Sequence, residues 1–218
     1  MDGNRRWAKS RNLPTLEGHR RGYRNLKEVA GWCKDLGIKH FVVYAFSTEN
    51  WNRSKEEVSY LMDLFRDMIF KELEWLKKED VAIHFVGQRE RFSKDLQEGM
   101  DNLEKETLGG TRHLYVALSY GGRAEILHAI KRIAREKDER GIESLEEKDV
   151  ADFLWTGKMP DPDIIIRTSG EYRLSGFLAW QSVYSELFFT DTLWPAFTEA
   201  EFKDIIKTYG ERDRRKGK

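Results

Sequence analysis

Short apolar segments alternate along the chain with longer segments whose apolar residues recur every three or four positions. The short segments are rich in β-branched and aromatic residues, and most are continuously apolar, which predicts strands buried on both faces. They cover residues 41–46, 81–86, 114–118, 163–167 and 186–190. Their alternation with helical segments predicts an α/β fold, in which a mostly parallel central sheet is flanked by helices.

The helical periodicity is clearest over residues 55–78, which we interpret as one long helix. Ser54, Ser144 and Thr198 each precede a glutamate by three residues, the spacing of a capping box at a helix start. The highly charged segment 136–158 predicts a surface excursion with a short helix rather than a domain boundary. We therefore expect a single domain over residues 1–218.

Composition narrows the class of protein. The 218 residues include 38 basic and 38 acidic ones, and this balance argues against a general nucleic-acid binder. Cys33 is the only cysteine, so no intrachain disulfide can form, and we expect it to be a buried bystander. No segment resembles a signal peptide or the ~20-residue apolar run of a transmembrane helix, which predicts a cytoplasmic protein.

The first 27 residues depart from this balance, with eight basic and two acidic side chains. Such a segment favours an anionic partner, although a solvated helix face next to a mobile terminus is the alternative.

Polar residues follow four of the predicted strands, at the end where open parallel sheets bind ligands. The segments 47–53, 87–89, 119–123 and 167–175 each combine an arginine with glycine, hydroxyl or amide residues. Arginine matches phosphate oxygens bidentately, and glycine lets backbone amides approach an anion, so these segments predict a phosphorylated ligand.

Two common classes of phosphate site are excluded, because the chain has neither G-x-x-x-x-G-K-[ST] nor G-x-G-x-x-G. One cysteine and five scattered histidines form no zinc motif. Magnesium fits better, because one or two carboxylates and the substrate's own phosphates usually hold it.

Six segments carry a resemblance to a known family. They are MDGNRRWA at 1–8, Gly18-His19 with Gly22, YAFSTENWNR at 44–53, SYGGR at 119–123, DIIIRTSGEYRLS at 163–175, and 180–191. In this order, over essentially the whole chain, they resemble the cis-prenyltransferases: the undecaprenyl diphosphate synthases and their archaeal and eukaryotic polyprenyl relatives.

The resemblance implies an activity and a cofactor. Family members condense isopentenyl diphosphate units onto an allylic diphosphate such as farnesyl or geranylgeranyl diphosphate, with magnesium. The product is a long-chain polyprenyl diphosphate for lipid carriers of sugars. We therefore expect a protein that delivers its product to the membrane, peripheral to it and without binding nucleic acid.

The resemblance also implies residue roles. Asp2 would hold magnesium and assist departure of the allylic diphosphate, and Asn50 matches the position assigned to proton removal, where we expect it to act with neighbouring hydroxyl or diphosphate oxygens. The allylic diphosphate would lie at a helix start, on Gly3, Asn4, Arg5 and Arg6, with Trp7 and His19 as further contacts. Ser47, Thr48 and Glu49 would line the same cleft, and Trp51 and Arg53 complete this set.

The resemblance also implies a separate set of binding residues for the second substrate. Isopentenyl diphosphate would be clamped by Arg167, Arg173, Leu174 and Ser175, and Glu186 matches a second magnesium position in the same cleft. A tunnel for the growing chain would run between the sheet and the long helix. Our candidates for its walls, each with plain core packing as the alternative, are Ala45, Val58, Met62, Phe65 and Ile69.

The chain departs from the family pattern at three places. Arg5 replaces a glycine usual in bacterial members, which favours the archaeal and eukaryotic branch. Thr15 stands where some bacterial members have an arginine, so that contact is not carried over. Members normally have a strand directly before the Asp-Gly-Asn motif, and we expect a fold that lacks this first strand.

The end of the chain suggests a partner. Arg215 and Gly217 resemble an Arg-x-Gly ending that reaches the other subunit's active site, which implies a homodimer; a disordered basic tail is the alternative. A non-catalytic partner subunit and a polyanion-binding protein remain as alternative functions, although Asp2, Asn50 and Glu186 would have no purpose in a purely structural subunit.

Overall fold

The computed structural model describes residues 1–157 and 159–212. The predicted strands are all present, as β1 (His40–Ser47), β2 (Val81–Val86), β3 (Arg112–Tyr120), β4 (Ile164–Arg167) and β5 (Glu186–Phe189). Each pairing between them is parallel, so the predicted α/β fold is confirmed.

The strands form two sheets, one in the order β1-β3-β2 and one that pairs β4 with β5. In the part of the chain that the structure describes, no strand lies between β1 and β4, and residues of both line one cavity. Strands β2 and β3 are almost wholly buried, as predicted. The prediction of burial on both faces is wrong for β1 and β4, which border the cavity, and for β5, where Leu187 is exposed.

The helices follow the amphipathic segments. They are α1 (Asn4–Lys9), α2 (Thr15–Asp35), α3 (Lys55–Lys71), α4 (Leu73–Lys78), α5 (Lys94–Thr107), α6 (Gly122–Glu136), α7 (Glu139–Glu143), α8 (Glu147–Ala151) and α9 (Glu199–Glu211). No helix among the described residues is both long and apolar enough to cross a bilayer.

The long helix expected over 55–78 is interrupted at Glu72, where the backbone leaves helical geometry with φ −100° and ψ 2°. The side chain of Glu72 accepts a hydrogen bond from the Tyr23 hydroxyl at 2.8 Å and pairs with Lys27 at 2.5 Å. These contacts attach the break to α2.

Two of the three predicted capping residues cap the helices they precede. The hydroxyls of Ser54 and Thr198 each accept a hydrogen bond from the amide three residues on. The prediction for Ser144 is wrong: this residue ends α7, and its hydroxyl donates to the Gly141 carbonyl. Glu146 caps α8 instead, so the charged excursion holds two short helices.

The main core lies between the three-stranded sheet and helices α2, α3 and α5. Leu96 and Met100 of α5 are fully buried there, and each contributes about 2 kcal/mol by leaving water. Cys33 is buried as expected, and burial raises the pKa of its thiol to about 12. This core fixes the sheet whose strand ends carry the polar segments.

Candidate active site

A cavity of about 1240 Å³ lies between β1 and β4. Its interior is largely apolar, with walls from β1, β4, α2 and the segment 194–206. The cavity has a polar mouth where strands β1 and β4 end, at Ser47 and Arg167. The following site residues predicted from the sequence line the cavity: Asp2, Asn4, His19, Ser47, Thr48, Glu49, Asn50, Arg53, Arg167, Arg173, Leu174 and Ser175.

Asp2 is held at the end of β4 by backbone and side-chain contacts. Its amide donates to the Thr168 hydroxyl, and its carbonyl accepts from the Trp194 amide at 2.9 Å. Its carboxylate accepts from the Gly3 amide at 2.7 Å and from Arg167 at 3.0 Å. Burial alone would raise the pKa of Asp2, but the hydrogen bonds from Arg167 and Gly3 lower it. Asp2 is therefore a carboxylate at neutral pH.

Glycines bring helix α1 close to its neighbours. Gly3 has φ +101°, and a Cβ there would lie 2.9 Å from Leu193. A Cβ on Gly18 would lie 2.0 Å from the Asn4 carbonyl oxygen, and one on Gly22 would lie 2.1 Å from the Asn4 side-chain oxygen. That oxygen is buried without a hydrogen-bond partner among the described residues. Only glycine on α2 allows α1 to approach this closely.

Arg6 spans from α1 to the loop after β4. Its guanidinium donates to the Ser169 carbonyl at 3.0 Å and to the Ser169 hydroxyl at 2.6 Å, and it pairs with Glu171 at 3.5 Å. Thr168 and Ser169 were not predicted as site residues, although both belong to the motif at 163–175. Their signal is the run of two hydroxyl residues and a glycine directly after a strand.

Arg167 connects Asp2 with the segment 173–175. Besides Asp2, it donates to the Ser175 hydroxyl at 2.8 Å and to the Arg173 carbonyl. Arg173 itself pairs with Glu171. The predicted clamp residues thus lie together, and Arg167 is the one that contacts Asp2.

The turn after β1 is closed by its own side chains. The Asn50 side-chain oxygen accepts from the Ser47 amide at 3.0 Å, and the Ser47 hydroxyl accepts from the Asn50 amide. One lone pair of the Asn50 oxygen is used in this way, and the amide NH₂ supplies donors that could interact with an anionic ligand. Glu49 is exposed beside it, and its pKa is lowered because its own amide and the Ser47 and Thr48 hydroxyls outweigh desolvation.

Some predicted site residues lie away from the cavity. Trp51 donates to the Ser119 hydroxyl at 2.9 Å and packs against Phe46 in the core. Trp7 stacks under the Arg11 guanidinium. Gly3, Arg5 and Arg6 border the mouth without lining the cavity.

In the described part of the chain, Glu186 lies away from Asp2. It pairs with Ile164 at the start of β4, whereas Arg167, the partner of Asp2, is at its end. Its carboxylate pairs with Arg212. Arg215 and Gly217, predicted to reach a second subunit, lie outside the described residues.

The predicted tunnel walls contribute little to this cavity. Ala45 lines it, whereas Phe65 and Ile69 are buried in the main core and Val58 and Met62 do not border the cavity. Trp194, Phe197 and Phe202 form much of the apolar wall instead. Sequence periodicity could not separate these residues from ordinary core positions.

Four arginines at the mouth have a carboxylate partner within the described residues. Arg167 pairs with Asp2, Arg173 and Arg6 with Glu171, and Arg53 with Glu57. Such arginines present a planar fork of donors that suits phosphate oxygens. Together with the apolar interior, they can bind an anionic head group that carries a hydrocarbon tail.

Known proteins are similar to this chain in sequence and in fold. The undecaprenyl diphosphate synthase family model matches residues 1–217. The isoprenyl transferase of Thermotoga maritima is 45% identical over 218 residues, which cover all of this chain and 94% of that protein. The isoprenyl transferase of Chromobacterium violaceum is also 45% identical, with coverage of 100% and 86%.

Two solved structures of prenyl diphosphate synthases are also similar to this chain. Lavandulyl diphosphate synthase from Lavandula x intermedia, in complex with dimethylallyl diphosphate, superposes with a TM-score of 0.94 at 36% identity, covering 100% of this chain and 95% of that one. A probable undecaprenyl diphosphate synthase from Campylobacter jejuni gives 0.81 at 32% identity, with coverage of 91% and 93%. The chain is an enzyme of the prenyl transferase type and belongs to the undecaprenyl diphosphate synthase family of cis-prenyltransferases.

Proposed function

We propose that this cis-prenyltransferase condenses isopentenyl diphosphate onto an allylic diphosphate primer such as farnesyl or geranylgeranyl diphosphate. The observation that carries the proposal is the contact of Asp2 with Arg167 at 3.0 Å, at strand ends that also place Arg173, Ser175 and Asn50 beside one apolar cavity. Charged diphosphates would stay at the mouth, and the hydrocarbon chain would leave water by entering the interior.

The two diphosphates would use different arginines. The allylic diphosphate would bind beside Asp2 and α1, where Gly3, Asn4, Arg5 and Arg6 surround the turn, with His19 and Trp7 nearby. Isopentenyl diphosphate would bind to Arg167, Arg173 and Ser175, next to Leu174. Because Arg167 contacts Asp2 at 3.0 Å, the two sites would adjoin, which favours attack of one substrate on the other.

Residues of the turn after β1 would orient the isopentenyl unit. In the reaction the allylic carbon–oxygen bond breaks, a carbon–carbon bond forms to the isopentenyl unit, and that unit loses a proton. An amide is a poor base, and the Asn50 oxygen already accepts from Ser47. Asn50 would therefore donate its NH₂ to a diphosphate, and a diphosphate oxygen would take the proton. Ser47, Thr48, Glu49 and Arg53 would complete the wall, with Trp51 supporting the turn.

The donor set at the mouth fits magnesium. No group of three or more metal-binding side chains converges in the part of the chain that the structure describes, and Asp2 offers a single carboxylate. This suits an ion that keeps several waters and is shared with substrate phosphates. Magnesium would offset charge on the departing diphosphate. Asp2 is our proposed ligand; a second position at Glu186 stays a prediction from the resemblance, because its carboxylate pairs with Arg212 at the other end of β4.

The wider context follows from the family. We propose a single domain over residues 1–218 that makes a long-chain polyprenyl diphosphate for lipid carriers. We further propose a cytoplasmic homodimer, peripheral to the membrane that receives its product.

Incubation of the purified chain with farnesyl diphosphate, labelled isopentenyl diphosphate and Mg²⁺ tests the proposal. We expect extended products on chromatography against polyprenol standards and their loss with EDTA. A folded sample that incorporates no label with farnesyl or geranylgeranyl diphosphate would refute it.

A further inference from the structure

Glu57 is a nearly buried carboxylate directly behind the mouth of the cavity. It lies in the first turn of α3, and its side chain is 10% exposed. It does not line the cavity. Its backbone amide is capped by Ser54, and the sequence pattern around it is explained by that cap alone. Nothing in the cap requires the carboxylate to be buried.

Three side chains from three other segments converge on this carboxylate. His19 of α2 lies 3.1 Å from one carboxylate oxygen, and Arg53, which follows the turn after β1, donates to the same oxygen at 2.9 Å. Arg5 of α1 approaches the other oxygen at 3.6 Å. His19 and Arg53 both line the cavity. Glu57 thus connects both sides of the mouth from behind its wall.

The contact with Glu57 also selects one form of the His19 ring. A carboxylate only accepts hydrogen bonds, so the ring nitrogen beside it, Nε2, must carry the hydrogen. Burial is the main cause that lowers the pKa of His19, and the Arg53 and Arg5 charges add to it against the opposing effect of Glu57. The ring is therefore neutral at pH 7.5, with Nδ1 as its acceptor.

We propose that Glu57 is a positioning residue for prenyl transfer, which holds His19 as its Nε2–H tautomer and Arg53 in its binding orientation. The proposal rests on the function proposed above, because His19 and Arg53 act through the substrates that they contact. Without the carboxylate, the ring could adopt the other tautomer, and the guanidinium would lose its fixed partner.

Glu57→Gln tests this with little change of shape. The amide NH₂ of glutamine can donate to Nε2, which permits the Nδ1–H tautomer. Glu56→Gln is the matched control, because Glu56 is in the same helical turn, carries the same charge and is exposed. Nitrogen-15 NMR of the histidine rings reports the His19 tautomer without substrate, and steady-state kinetics report KM and kcat for each diphosphate.

We expect Glu57→Gln to populate the Nδ1–H tautomer of His19 and to raise the KM of at least one diphosphate about tenfold, with a smaller change in kcat. Glu56→Gln should match the wild type in both measurements. An unchanged tautomer together with unchanged KM values in a folded Glu57→Gln would overturn the proposal.

Two further results keep the test decisive. If Glu57→Gln does not fold, Glu57→Asp retains the charge but is one methylene shorter, so we expect a raised KM with the Nε2–H tautomer kept. A wild-type KM in that variant would overturn the proposal. If the wild type transfers no prenyl group, the proposed function fails, whereas a tautomer change in Glu57→Gln would still show that Glu57 positions the ring.

Discussion

Replacement of Gly18 by alanine tests whether close packing of α1 on α2 holds the site together. The new Cβ would lie 2.0 Å from the Asn4 carbonyl oxygen, where ordinary contacts begin at 3.4 Å, so the atoms would have to separate by about 1.4 Å. Because the obstacle is backbone, the whole of α1 has to move, and with it the turn that carries Asp2.

Gly31→Ala is the matched control, because Gly31 is on the same helix and a Cβ there meets nothing within 4 Å. Both substitutions gain about 1 kcal/mol of helix propensity. Overpacking costs about 1–3 kcal/mol at Gly18 alone, so Gly18→Ala should unfold more readily than Gly31→Ala by that amount.

Urea denaturation measures the difference in stability, and steady-state kinetics measure the effect on the site. A displacement of about 1 Å can reduce a rate about 100-fold, so we expect kcat/KM to fall by at least tenfold in Gly18→Ala and to stay unchanged in Gly31→Ala. If Gly18→Ala were as stable and as active as Gly31→Ala, the close contact with Asn4 would not hold α1 in place, and the reasoning would fail.

Further predictions concern Asp2 and Cys33. Asp2→Asn should reduce kcat about 10²–10³-fold through loss of the carboxylate while the chain stays folded, and near-normal turnover would contradict its role. Since the pKa of Asp2 is lowered in the folded state, its contribution to stability is present above pH ~4 and is lost as the pH falls further; the stability difference between wild type and Asp2→Asn should therefore shrink between pH 7 and pH 3. Burial raises the pKa of the Cys33 thiol to about 12, so the thiol should react with iodoacetamide at pH 8 only after denaturation. Rapid labelling of Cys33 in the native protein would contradict this prediction.

The sequence predicted the fold more completely than the site. Apolar runs of 4–8 residues rich in β-branched and aromatic side chains predict strands, and all five strands were found, although only β2 and β3 are almost wholly buried. The division into two sheets could not be predicted, because pairing depends on which strands meet in space. The break at Glu72 was equally hidden, since a glutamate suits a helix and only its contacts with Tyr23 and Lys27 from α2 accompany the break.

Within the site, the sequence identified residue types but not their contacts. The motifs predicted that Asp2 and Arg167 lie together, and the two side chains are in contact at 3.0 Å, whereas the roles of Asp2, Asn50 and Arg167 stay predictions. Trp51 was expected to contact substrate, yet its ring packs in the core, and a motif does not show which way a side chain points. Glu57 was missed because its position in a capping pattern already explained it.

The pairing of Arg6, Arg53, Arg167 and Arg173 with carboxylates of the described chain affects how tightly a diphosphate could be held. Binding replaces one ion pair by another, so the affinity reflects the difference between the two rather than the full attraction of a bare cation. A bound diphosphate can be displaced when Asp2 or Glu171 returns to its arginine. Under the proposed function a diphosphate is released after every condensation, so this exchange would favour turnover at the expense of affinity.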